Sequence, residues 1–194
     1  ALNNNQFTDN KNSVGAIYIV RDPRNVITSL KNHYELNDDL ALKWMLNENN
    51  YIYDVSKFKE DGYSDFQFIS SWNTNFKSWR LQKKISIKII KYEDLLNNTY
   101  SVFKEVVEFI NKTIKNNEKI NKNKMKNSVN STFFDKLKDN EKKNGFSEAV
   151  TSKTDQKKIP FFHLGPNNNW RKLLDKELQK KMTNEFKQTI TELG

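Results

Sequence analysis

Arg21 and Ser29 are the residues of this sequence best suited to hold an anion. A guanidinium presents its N–H donors as a fork that matches phosphate oxygens, and a hydroxyl adds one further donor. Between them runs Asp22-Pro23-Arg24-Asn25-Val26-Ile27-Thr28. Asp22 suits an N-cap and Pro23 the first position of a helix, so Ser29 falls about two turns along that helix. A helix N-terminus offers unpaired N–H groups and the positive end of a dipole, which again suit a phosphate. The plainer alternative pairs Arg21 with Asp22 or Glu93 and bonds Ser29 to its own helix.

Three further groups could do chemistry. Tyr92-Glu93-Asp94 closes an apolar run. Tyr92 there is either a ligand contact or a packing ring with a satisfied hydroxyl. Neighbouring strand residues point to opposite faces, so Glu93 and Asp94 are expected to orient basic side chains rather than act as a carboxylate pair. Thr132-Phe133 sets a hydroxyl beside an aromatic ring, which by residue type alone is a helix cap followed by a core Phe. His163-Leu164-Gly165 stands in a late loop, where His163 is either an anion contact or a loop histidine without a ligand. His33, beside Tyr34, is expected at the surface or the core edge rather than as a base. No Walker-type phosphate loop and no metal-ligand cluster is present in these residues.

Hydropathy patterning supplies the elements that must position these groups. Ala16–Val20 is a continuous, β-branched run and predicts a buried parallel strand, followed by a helix from Pro23 to about Tyr34. Ser86–Tyr92 predicts a second strand, and Asn98 caps a helix carrying Phe103, Val106, Val107 and Ile110. Two strand–helix units predict an α/β fold with a parallel sheet. Asn37-Asp38-Asp39 introduces an amphipathic helix bearing Leu40, Ala41, Trp44 and Met45. Tyr51–Tyr63 predicts a loop turning at Asp61-Gly62, and from Ser64 a helix carries the stripe Ile69, Trp72, Phe76 and Trp79. That stripe is expected to pack into the core rather than stack on bases. Lys112–Lys126 is either a solvated helix face or a connector. A helical stretch from Phe133 ends at Asn144-Gly145, Glu148–Lys158 predicts an exposed loop, and a final helix near Asp175 carries Leu178, Met182, Phe186 and Ile190.

The run Arg21-Asp22-Pro23-Arg24-Asn25-Val26-Ile27-Thr28-Ser29 resembles the second cofactor element of the sulfotransferases that depend on 3′-phosphoadenylyl sulfate (PAPS). The resemblance continues through Lys91-Tyr92-Glu93-Asp94-Leu95, Thr132-Phe133 and Phe161 to Trp170, and spans nearly the whole chain. It implies a P-loop NTPase-like, three-layer α/β fold with helices flanking a parallel sheet, here one incomplete domain over residues 1–194. It implies that Arg21 and Ser29 hold the 3′-phosphate, that Tyr92, Thr132 and Phe133 contact the adenosine, and that His163, Leu164 and Gly165 lie in the late clamp. His163 and Leu164 stand where the family has Arg and Lys, and Asn169 where it has Asp. The phosphate loop and catalytic His of the family would lie upstream of Ala1, so the chain is expected to be the C-terminal portion of a longer enzyme.

Composition narrows the function. The 194 residues carry a formal charge of +9 and no cysteine, which excludes disulfides, zinc thiolates and cysteine nucleophiles. The only arginines are Arg21, Arg24, Arg80 and Arg171, a sparse set for a nucleic-acid reader. No apolar run approaches the roughly 20 residues of a membrane span, and a cytoplasmic location is expected. The expected activity is sulfuryl transfer from PAPS, with 3′-phosphoadenosine 5′-phosphate (PAP) as product, to a hydroxyl or amine of a small-molecule or carbohydrate acceptor. No metal, nucleic acid or membrane is expected to take part. A small kinase and a basic nucleic-acid-binding module are the alternatives.

Overall fold

The computed structural model describes residues 11–53, 59–60, 62 and 67–194. Strand β1 (Gly15–Val20) leads into α1 (Pro23–Tyr34) and α2 (Asp38–Leu46). A short antiparallel ribbon of β2 (Tyr51–Ile52) and β3 (Gln67–Phe68) precedes α3 (Trp72–Leu81). Strand β4 (Ser86–Lys91) runs directly into α4 (Tyr92–Asn97) and α5 (Thr99–Thr113). Helices α6 (Lys122–Ser131) and α7 (Phe134–Asn144) follow. After the late loop come α8 (Trp170–Leu173), α9 (Lys176–Glu185) and α10 (Lys187–Leu193).

β1 and β4 pair in parallel, from Gly15 opposite Ser86 to Val20 opposite Lys91. Alternation along the strands puts Tyr18 on one face and Gly15 and Lys88 on the other. On the first face Tyr18 stacks on Trp79 of α3 at 5.7 Å, and its hydroxyl donates to Asn75 at 3.0 Å. On the second, Lys88 pairs with Glu105 of α5, and a Cβ on Gly15 would come within 3.1 Å of Thr113. Helices therefore cover both faces, in the layered α/β arrangement expected. Among the described residues β1 pairs only with β4. Ile17 and Ile19, on the face away from Tyr18, are 41% and 53% exposed.

The largest core lies beside this sheet. Ile27 and Leu30 of α1 meet Ala41 and Met45 of α2, Trp170 of α8, and Leu178, Met182 and Phe186 around α9. The stripe on the last helix thus packs as its spacing predicts, although the helix is interrupted at Phe186.

Several local expectations are corrected. The helix expected from Ser64 begins only at Trp72. Gln67 and Phe68 are strand, and Ser70 has φ 58°, which no right-handed helix contains. The second strand stops at Lys91, so Tyr92, Glu93 and Asp94 form the first turn of α4. Their acidic side chains suit the helix dipole there, and strand alternation does not apply to them. Asn98 flanks α5 without a capping bond from its side chain. Ala149 and Ser152 are buried within the segment expected to be an exposed loop. Gly62, of the turn expected at Asp61-Gly62, has φ 67°, as a turn allows, while Asp61 and the lead-in before Lys11 lie outside the described residues.

Candidate functional site

Parallel pairing in register decides what meets at the sheet's carboxyl edge. Val20 lies opposite Lys91, so the next residues, Arg21 and Tyr92, emerge side by side. The Arg21 guanidinium carbon lies 4.3 Å from the centroid of the Tyr92 ring, within cation–π range. Its Nε is 3.8 Å from Glu93 Oε1. That is an ion-pair distance but not a hydrogen bond, and both atoms are buried without a hydrogen-bond partner. Burial pushes the guanidinium's pKa down, and the charges of Tyr92, Glu93 and Asp22 oppose the shift. Arg21 nonetheless stays cationic at neutral pH.

Asp22 does not serve Arg21. Its carboxylate is held by Arg24, through Nε at 2.9 Å and Nη2 at 2.7 Å, and also accepts the Arg24 backbone N–H at 2.9 Å. Its carbonyl accepts from the N–H groups of Asn25 and Val26. Together with Pro23, which has no N–H, Asp22 satisfies the first turn of α1. The unpaired donors expected at that helix end are therefore already used, and the guanidinium and side-chain hydroxyls are what the site offers an anion.

A cleft of about 790 Å³ opens at this edge. Its lining includes Arg21, Ser29, Tyr92, Thr132, Phe133, His163, Leu164 and Gly165, but not Glu93 or Asp94. Ser29 is exposed on α1, and its Oγ accepts from Asn168 Nδ2 at 3.3 Å. The Thr132 hydroxyl turns back onto the Ser128 and Val129 carbonyls at the end of α6. Phe133, between α6 and α7, is 50% exposed. Phe134 instead packs against the loop, where a Cβ on Gly165 would overlap its ring; Gly165 also has φ 52°. Both rings line the cleft, but Phe134 also fills the space beside Gly165, so the more exposed Phe133 has the freer ring.

The late loop is held by residues remote in the chain. Glu141 of α7 accepts the backbone N–H groups of Phe161 and Phe162 at 2.7 and 2.9 Å, and Lys138 donates to the His163 carbonyl at 3.2 Å. On the other side the Trp170 N–H donates to Asn25 Oδ1 at 3.0 Å, and the Trp170 ring lies between Arg24 and Arg171 at 4.1 and 4.4 Å. His33 reaches the cleft as part of an aromatic corner, edge-on to Tyr34 at 4.6 Å and to Phe161 at 6.2 Å. Burial lowers its pKa and Glu148 acts in the opposite direction, which keeps the ring neutral at pH 7.

The chain as a whole is similar to known proteins. The model of the sulfotransferase domain matches residues 3–194. The chain belongs to the sulfotransferase family. It is 24% identical over 180 residues to luciferin sulfotransferase of Photinus pyralis, covering 90% of this chain and 44% of that protein. Its fold matches the crystal structure of mouse sulfotransferase SULT7A1 complexed with PAP at a TM-score of 0.56 and 18% identity, over 89% of this chain and 56% of that one. The chain spans about half the length of these relatives.

Reading the sequence missed the sulfotransferase chain's supporting residues: Asn25, Lys138, Glu141 and Asn168. Asn, Lys and Glu abound here, and nothing local separates these four from solvated neighbours. The signal lies in contacts 20 to 145 positions apart.

Among the described residues no helix is long and apolar enough to cross a membrane.

Proposed function

We propose that this chain supplies the 3′-phosphate and adenine grip of a sulfotransferase that moves a sulfuryl group from PAPS to a hydroxyl or amine acceptor. The observation that carries this reading is Arg21. Arg21 lines the cleft as a cation whose pairing with Glu93, at 3.8 Å, is too long for a hydrogen bond, so its charge suits an anion as a further partner. Ser29 provides a hydroxyl on the same cleft. Tyr92 stacks on the guanidinium and fixes its plane, while Glu93 keeps the charge in place without saturating it.

Phe133 offers an open ring face for a purine, with Thr132 beside it at the mouth. His163 and the backbone at Gly165 form the opposite wall, and Leu164 adds apolar contact there. Val26, Leu30, Tyr34, Trp44 and Ile52 make a second, largely apolar stretch of the lining, which suits the body of a small-molecule or carbohydrate acceptor. Bound PAPS supplies the activated sulfuryl group, with its phosphate as leaving group. The roles of the residues above are binding and orientation: they hold the nucleotide end still so that an acceptor oxygen or nitrogen lies in line with the sulfur. None of them is assigned as the base.

The test is calorimetric binding of PAP and of adenosine 5′-monophosphate (AMP) to the protein. The reading requires clearly tighter binding of PAP. Equal affinity for the two nucleotides would overturn it.

A further inference from the structure

Asn168 is buried, 7% exposed, and stands behind the cleft rather than in its lining. Its Nδ2 donates to the Asn25 carbonyl at 2.9 Å and to Ser29 Oγ at 3.3 Å, and its Oδ1 accepts from the Thr28 hydroxyl at 2.7 Å. The Asn25 carbonyl can only accept, so it must face the amide nitrogen, and this sets the orientation of the whole side chain. The second N–H of the same nitrogen is then directed at Ser29.

That bond constrains the serine. A hydroxyl has one proton and two acceptor lone pairs. With an N–H donor on the oxygen from the protein side, the proton turns away from it, and accepting one bond strengthens the donation of the next. Ser29 itself lines the cleft. We propose that Asn168 is a positioning residue that orients the Ser29 O–H as a donor to the anion bound in the cleft. The inference rests on the reading of Arg21 and Ser29 as the 3′-phosphate site. It assigns to the late loop a part in phosphate recognition that requires no cation from that loop. The loop reaches the phosphate through α1 rather than by direct contact.

The experiment is a mutant cycle in the full-length protein. It reads the ratio of AMP to PAP dissociation constants for wild type, Asn168→Ala, Ser29→Ala and the double variant, with melting temperatures in parallel. Loss of one oriented neutral hydrogen bond corresponds to a fall in the ratio of roughly threefold to tenfold for Asn168→Ala. The same substitution should change nothing further in the Ser29→Ala background. A purely structural Asn168 would lower the melting temperature and weaken both nucleotides alike, leaving the ratio unchanged, and that result overturns the proposal. So does a fall that persists without the Ser29 hydroxyl. If Asn168→Ala does not fold, Asn168→Ser, which retains a small polar group, is read by the same two criteria. A wild type that binds the two nucleotides equally overturns the phosphate site itself, which separates that failure from this one.

Discussion

The β1–α1 corner and the loop from Phe161 to Trp170 face the same cleft, yet they are held by opposite means. At the corner the contacts are local. Asp22 caps Arg24, its carbonyl takes the next N–H groups, and Pro23 sets the first turn. The loop has three short-range backbone bonds of its own, from His163 to Phe161, Asn167 to Leu164 and Asn168 to Gly165, and otherwise depends on remote residues. Its backbone is held by Glu141 from one side and by Asn25 from the other, and its glycine gives way to Phe134. The difference teaches where a substitution is felt. At the corner a change should alter recognition and leave the fold nearly intact. In the loop a change should loosen packing first and recognition as a consequence.

The largest effect expected is therefore in the loop. Trp170 is buried, lies between two guanidinium groups and donates its N–H to Asn25. Trp170→Ala removes a large core side chain, a change that costs roughly 3–5 kcal/mol. Chemical denaturation should show the loss in the midpoint. A variant as stable as wild type would mean that the core of α1, α2 and α9 closes without the loop, and the contrast between the two regions would fail.

Arg21→Ala tests the corner. A hydrogen bond to a charged group is worth roughly 1.5–3 kcal/mol, so the preference for PAP over AMP should fall by about one to two powers of ten. Removing Arg21 also strands Glu93, whose Oε1 is buried without another partner. Arg21→Ala with Glu93→Gln should therefore recover stability but not the preference. If the preference survives in both variants, Arg21 is a structural ion-pair residue.

The neighbouring phenylalanines sharpen the comparison within two positions. Phe133→Ala should weaken PAP and AMP binding equally, by roughly 1–3 kcal/mol, because base stacking does not sense the 3′-phosphate. Phe134→Ala should instead lower the melting temperature, since its ring fills the space at Gly165 and meets Phe162 edge-on at 6.2 Å. The reverse pattern would move the stacking role from Phe133 to Phe134.

What could be read from the sequence follows the same division. α1 runs from Pro23 to Tyr34 as its cap and periodicity require, because Asp22 and Pro23 act on their own neighbours. The cleft gathers Arg21 and Ser29, whose residue types and spacing suit an anion, with Tyr92, Thr132, Phe133, His163, Leu164 and Gly165, which the family resemblance points to. Boundaries were less legible. The Ile69–Trp79 spacing continues a helical period through a left-handed Ser70, a conformation that spacing alone does not reveal. Tyr92 prolongs a β-branched run although the chain has already turned into α4. The supports at Glu141 and Asn168 were not legible at all, since their meaning depends on which distant backbone groups need a partner.

The smallest effect concerns the link between the two regions. Glu35 ends α1 in the left-handed region, φ 52° and ψ 48°. Its carboxylate accepts the Lys153 N–H and the Ser152 hydroxyl, each at 2.7 Å, joining the corner's helix to the segment before the loop. The backbone bond from Lys153, then the hydroxyl of Ser152, hold its pKa below the usual carboxylate range. A carboxylate depressed in the folded state stabilises the fold above its unfolded value, about 4.3, and loses that contribution as pH falls through the folded value. Wild type should therefore lose stability on the acid side more steeply than Glu35→Gln, and the two denaturation midpoints should converge at low pH. The backbone can be tested separately. Glu35→Gly removes the carboxylate but relieves a non-glycine left-handed residue at the helix end, so at low pH, where the carboxylate no longer contributes, it should be more stable than wild type. Parallel pH curves for wild type and Glu35→Gln would show that the carboxylate contributes nothing to the link, leaving the tie between α1 and the late loop to contacts such as those of Asn25 and Thr28 with Trp170 and Asn168 and of His33 with Phe161.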